Sequence, residues 1–164
     1  MTLYSVALFL HVVGAVLLFV TLTVEGVALR QAAPRLLRLN RIVGPLSALG
    51  VLLPGLYMAA TSWGWVAWIV VALASWLAIA VLGAVNGIRI VALERSADFS
   101  TGVRNPIFLI SWTTRVGLAL GVVFLMTVKP DVVAAVLAIL IAAAAGAALG
   151  VVLSRTRRPA REVA

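Results

Sequence analysis

Cysteine is absent from this chain of 164 residues. That excludes disulfides, thiolate catalysis and cysteine metal sites, and it leaves the redox compartment unread. Acidic residues number 5 and histidine 1. So few acids and a lone His11 leave little for paired-carboxylate chemistry, a nucleophile–base pair or a His-rich metal site. No phosphate-binding loop occurs either, and the chain is not expected to be an enzyme. Charge of any sign is scarce at 11%, against about a quarter in soluble domains.

What is present is hydrocarbon. Hydrophobic residues make up 64% of the chain, and mean hydropathy is +1.19. Five runs are long enough to cross ~30 Å of bilayer at ~1.5 Å per residue. They lie at 3–29, 43–61, 66–93, 107–128 and 132–153. The expected fold is an all-α membrane protein, a single bundle of five transmembrane helices over 1–154 with a basic tail over 155–164. The first run is too long, and its flank too poor in base, for a cleavable signal peptide. Pro54-Gly55 in the short second run predicts a kink or break.

The connections set the orientation. Residues 30–42 (RQAAPRLLRLNRI) carry Arg30, Arg35, Arg38 and Arg41. Residues 94–106 are mixed in charge, and the tail adds Arg155, Arg157, Arg158 and Arg161. Putting these segments in the cytoplasm gives an N-out/C-in protein of the bacterial cytoplasmic membrane. Tyr4, Tyr57, Trp63, Trp65 and Trp68 then fall near the outer interface, as an aromatic belt does. The net charge of +8 reads as attraction to anionic lipid headgroups rather than to nucleic acid.

Two charges lie inside spans: Glu25 in the first and Arg115 in the fourth. A charge in hydrocarbon costs ~2.5–3.5 kcal/mol on insertion scales, so each needs a partner or a wet cavity. Arg115 lies ~12 Å above the cytoplasmic end of its run and Glu25 ~6 Å above the same surface. A Glu25–Arg115 ion pair is expected, with Asn86 and Arg89 at a similar level. Trp112, one turn below Arg115, is placed to stack on the guanidinium. Ser111, Thr113 and Thr114 add hydroxyls. Such a cluster either sets helix register or forms a cytoplasm-facing cavity for an anion, a headgroup or a proton.

His11 shares a helical stripe with Gly14, Leu18, Thr21 and Glu25, but sits ~21 Å from Glu25 along the axis. It is either a hydrogen-bonded packing residue or a haem or copper ligand, with Met58 or Met126 as second ligand. Gly83 and Gly87, Gly117 and Gly121, and Gly146 and Gly150 are small-xxx-small pairs. Each is expected to let a neighbouring backbone approach closely, for packing within one chain or for homodimerisation.

Four stretches carry a resemblance: LFLHVVGAVLLFV (8–20), LLPGLYMAATSWGW (52–65), AWIVVALAS (67–75) and SWTTRVGLALGVVFLMTVKP (111–130). Together they resemble an uncharacterised bacterial family of predicted integral membrane proteins, which implies the fold and no activity. The start LHVVGAV is also similar to the first helix of copper-resistance-D type membrane proteins, which implies copper or haem at His11. This chain lacks the further histidines of that family. The sequence leads to a small transport, ligand-binding or accessory membrane component, alone or with another membrane protein. A redox protein using His11 and a structural or lipid-interacting protein are the alternatives.

Overall fold

A computed structural model describes residues 2–95 and 99–156. Residues 157–164 of the basic tail, with Arg157, Arg158 and Arg161, lie outside the described residues, as does Asp98. Among the described residues the regular structure is helical throughout, with no strand. The elements are α1 (Leu3–Gln31), α2 (Pro34–Met58) continued by a π-helical turn (Ala59–Trp63), α3 (Ala67–Glu94), a short α4 (Phe99–Val103), α5 (Pro106–Val128) and α6 (Val132–Arg155). Five are long and apolar enough to cross a membrane. Large apolar side chains such as Phe9, Val16, Ile88, Leu140 and Ile141 remain exposed along them, as lipid-facing surface requires.

Local chemistry explains the boundaries. Thr2 caps α1 by accepting from Ser5 N–H. Ala32 takes a left-handed conformation (φ 51°) and closes α1. Pro34 then opens α2 at the first helical turn, where its missing N–H costs nothing. The second helix therefore begins at 34, not 43. The segment RLLRLNRI is a helical extension rather than a loop, because Leu, Arg and Ile keep the periodicity while Arg masks it in a hydropathy window. At the other end α2 runs through Pro54 and the widening falls later, at Ala59–Trp63. Asn105 and Asp131 cap α5 and α6 by accepting from Ile107 and Ala134 N–H.

The helices form two committed pairs. In α1–α2, a Cβ on Gly14 would collide with the backbone of Gly50. Glycine is what allows the helices this close. In α5–α6, Gly117 faces the Ala142 carbonyl, Gly146 faces the Thr113 carbonyl, and Gly150 faces Ile110. These three close an interface within the chain. Gly121 departs from the close backbone approach expected of it. It faces side chains of α6 instead, and a Cβ there would stand 2.9 Å from the tip of Ile139 and 3.1 Å from the Ala142 methyl. The nearest facing backbone atom, Ile139 Cα, would be 3.8 Å away. One turn beyond Gly117 the helices have diverged enough to admit side chains, so Gly121 seats Ile139 rather than a backbone.

α3 packs on α5, where Asn86 donates to Ser111 Oγ at 3.0 Å. Three buried apolar clusters stack along the bundle. Ala28, Leu29, Leu37, Ile90, Val103 and Phe108 fill one end. Leu22, Ile79, Leu118 and Ala119 fill the middle. Ala72, Leu125 and Ala135 fill the other end.

At that last end an aromatic knot ties the start of α1 to the α2–α3 and α5–α6 connections. Trp63 Nε1 donates to Tyr4 Oη at 3.2 Å, and Trp63 meets Trp68 edge-on at 5.9 Å. Lys129, itself left-handed (φ 52°), places Nζ 3.9 Å from the centre of the Trp63 ring.

Candidate functional site: a charged cavity between α2 and α3

Glu25 and Arg115 come together between the first and second apolar clusters. Arg115 Nη2 donates to Glu25 Oε1. Both residues are buried, at 6% and 5% exposure. Asn40 of α2 donates to the other carboxylate oxygen, Oε2, at 3.3 Å. Each oxygen of Glu25 thus has a donor, from a different helix. The guanidinium is less well served: among the described residues its one hydrogen bond is to Glu25, and Nε is buried without a partner. Asn40 Oδ1 is likewise buried and unpartnered.

The other residues expected here divide. Asn86 is buried, but it spends its amide on Ser111 and does not reach the pair. Arg89 is exposed. At 100° per residue it points ~160° away from the α3 face centred on Gly87 that lines the cavity. It is not part of the cluster. Trp112 does not stack on Arg115. Its Nε1 donates to the Leu22 carbonyl of α1 at 2.6 Å, and its ring lies where a Cβ on Gly26 would be. Thr113 and Thr114 bond to carbonyls of their own helix.

Beside the pair lies a cavity of about 560 Å³, within the size range of small-molecule sites. Its walls are Leu18, Thr21, Leu22 and Glu25 of α1, Arg115 of α5, and the facing sides of α2 and α3. α2 and α3 barely touch one another. Two struts bridge them: Arg41 donates two hydrogen bonds to the Glu94 carboxylate, at 2.9 and 3.1 Å, and Trp76 Nε1 donates to the Ala48 carbonyl at 3.3 Å. Between the struts small residues recur, Gly44 and Ala48 on one side and Ala80, Gly83, Ala84 and Gly87 on the other, set among Pro45, Ile79, Ile90 and Val91. A Cβ added at Gly44 or Gly87 would meet nothing within 4 Å. The pair Gly83 and Gly87 therefore does not pack a helix. It keeps a space open, and Gly83 makes room for Arg115 Nη1, 3.1 Å from where its Cβ would stand. Leu49 and Ile88, on the rim, are 46% and 71% exposed. Apolar outer surface thus borders the cavity between α2 and α3.

Arg41, expected at lipid headgroups, is a strut instead. Arg30, Arg35 and Arg38 are exposed, and so is Arg155. His11 Nδ1 bonds to the Val51 carbonyl at 2.8 Å and so carries the proton, since a carbonyl only accepts. Pro54 removes the helix N–H that would serve Gly50, which loosens the carbonyls there, and His11 ties that stretch to α1. Met126 packs against the third cluster, of Ala72, Leu125 and Ala135. Met58 is buried at the end of α2. Among the described residues no three His, Cys, Asp or Glu side chains gather as a metal site. No family model, curated protein or solved structure matches the chain.

Asn40, Glu94 and Trp76 were not expected at the site. The signal for Asn40 is Pro34, which starts a helix and turns 37, 40, 41 and 44 onto one face.

Proposed function

We propose that the chain is a non-catalytic membrane component that holds one amphiphilic molecule from the bilayer in the cavity between α2 and α3. The observation that carries this is a space of about 560 Å³ with small apolar walls and one charged end. Packed interiors keep few voids larger than a water molecule. A space this large, open toward hydrocarbon, is filled by something apolar. The polar end supports a ligand with a head as well as a tail. The site suits a small transport or ligand-binding component, and an accessory role beside another membrane protein follows if the ligand is passed on.

The same reading sets the chain N-out/C-in in a bacterial cytoplasmic membrane. Supporting it, the exposed Arg30, Arg35 and Arg38 gather at the end opposite the Tyr4–Trp63–Lys129 knot. There they meet anionic headgroups. The resemblance to the uncharacterised bacterial family belongs to this proposal too.

The test is occupancy. Protein purified gently from native membranes is weighed intact, with its bound lipid, against Gly87→Leu and Gly44→Leu. At both positions an added Cβ meets nothing within 4 Å, so a larger side chain can be introduced there to occupy the cavity. About one amphiphile per wild-type chain, lost in both variants, supports the reading. Equal content in all three proteins refutes it.

A further inference from the structure

The Arg115 guanidinium carries five N–H groups. Among the described residues only Nη2 donates one, to Glu25. Arg115 is nine-tenths buried and lines the cavity, so water does not freely satisfy the rest. Nη1 stands against the bare Cα of Gly83, at the wall. Donors left over in an apolar space call for an acceptor. They do not call for a further anion, because Glu25 already balances Arg115, and Glu94 balances Arg41. Nor does the carboxylate call for a donating head, since each of its oxygens already has a donor, from Arg115 and from Asn40.

We infer that the ligand presents a neutral hydrogen-bond acceptor, a carbonyl of the ester, ketone or quinone kind, to Arg115 Nη1, with its apolar tail along the small-residue walls of α2 and α3. This rests on the cavity being an amphiphile site. Gly83 is the specificity-determining residue, because its missing Cβ exposes Nη1. Access is sideways from the bilayer, past Leu49 and Ile88, between the Arg41–Glu94 and Trp76–Ala48 struts.

Trp76 lines the cavity and reports on it. Its fluorescence, taken as the difference from Trp76→Phe, is followed during titration with three brominated C18 probes. These are methyl 9,10-dibromostearate, 9,10-dibromooctadecane and 9,10-dibromostearate at a pH where it is ionised. The ester is expected to quench saturably and about tenfold or more tightly than the alkane, the scale of one hydrogen bond to a charged group. Gly83→Ala puts a methyl over Nη1 and should weaken the ester far more than the alkane, bringing the two affinities together. Glu25→Gln with Arg115→Met should do the same, and Gly83→Ala decides alone if that double variant does not fold. Equal binding of ester and alkane, both lost in Gly87→Leu, overturns the acceptor and leaves the amphiphile site standing. Tightest binding by the carboxylate overturns the neutral head. Saturable quenching by none of the probes overturns this inference and the proposed function together.

Discussion

Removing one partner of the buried ion pair should cost far more than removing both. In Glu25→Gln one amide oxygen replaces the two oxygens that serve Arg115 and Asn40, and the Arg115 guanidinium loses its counter-charge while staying buried at 5% exposure. Breaking a buried pair in this way costs about 3–5 kcal/mol. In Arg115→Met the carboxylate is stranded, with Asn40 as its only donor, and the expected loss is similar. The double variant has no charge left to strand, and Met refills the space beside Gly83, so its loss should be about 1–2 kcal/mol. The coupling energy is then at least about 4 kcal/mol. That is well above the ~0.6 kcal/mol average of interhelical hydrogen bonds in membranes. The assay is reversible unfolding in mixed micelles or bicelles, with the four proteins compared in a double-mutant cycle. Additive losses would refute the reasoning. They would mean that water or lipid solvates each charge separately and that the pair does not hold α1 to α5.

Other expectations follow from the same geometry. Gly14→Ala and Gly146→Ala drive a methyl into opposing backbone and should destabilise by about 1–3 kcal/mol, whereas Gly87→Ala should change unfolding little. Arg41→Gln removes a strut whose arginine side chain is 35% exposed, so its stability loss should stay within about 1 kcal/mol, read by the same unfolding assay. Purified protein should show no Soret band and no stoichiometric copper or iron. His11→Ala should cost about 1 kcal/mol through the lost bond to Val51. A band or bound metal that His11→Ala abolishes would give that residue a ligand's role instead.

The five spans are legible in the sequence because hydropathy over 20 residues is a sum and tolerates local error. The α1–α2 turn is not, because hydropathy counts Arg35, Arg38 and Arg41 as loop, while a helix leaving the membrane carries arginine without losing its hydrogen bonds. That one misplacement hides Asn40, and with it the third helix of the charged site. The meeting of Glu25 with Arg115 is legible for the opposite reason: two opposite charges stand at nearly one depth in hydrocarbon, and few other partners exist. Arg89 shares that depth and not that face. Depth comes from counting residues, whereas the face that α3 turns inward is set by its packing on α5.

The small-residue pairs carry the same lesson into function. Three pairs share one motif in sequence and do three different things. Gly146 and Gly150 meet backbone directly, as does Gly117, while Gly121 takes the Ile139 side chain, and Gly83 and Gly87 border a void. The difference lies in what stands opposite. α6 is free to settle onto α5, and does. α2 is not free to settle onto α3, because Gly14, Gly50 and His11 fix it to α1, while Asn86 and Ser111 hold α3 to α5. The two struts then hold the distance rather than close it. A helix pair kept apart by its other commitments, with Gly44, Ala48, Ala80, Gly83, Ala84 and Gly87 along the facing sides, leaves a cavity between the helices. The buried arginine at its end has donors to spare, and the proposed recognition rests on them.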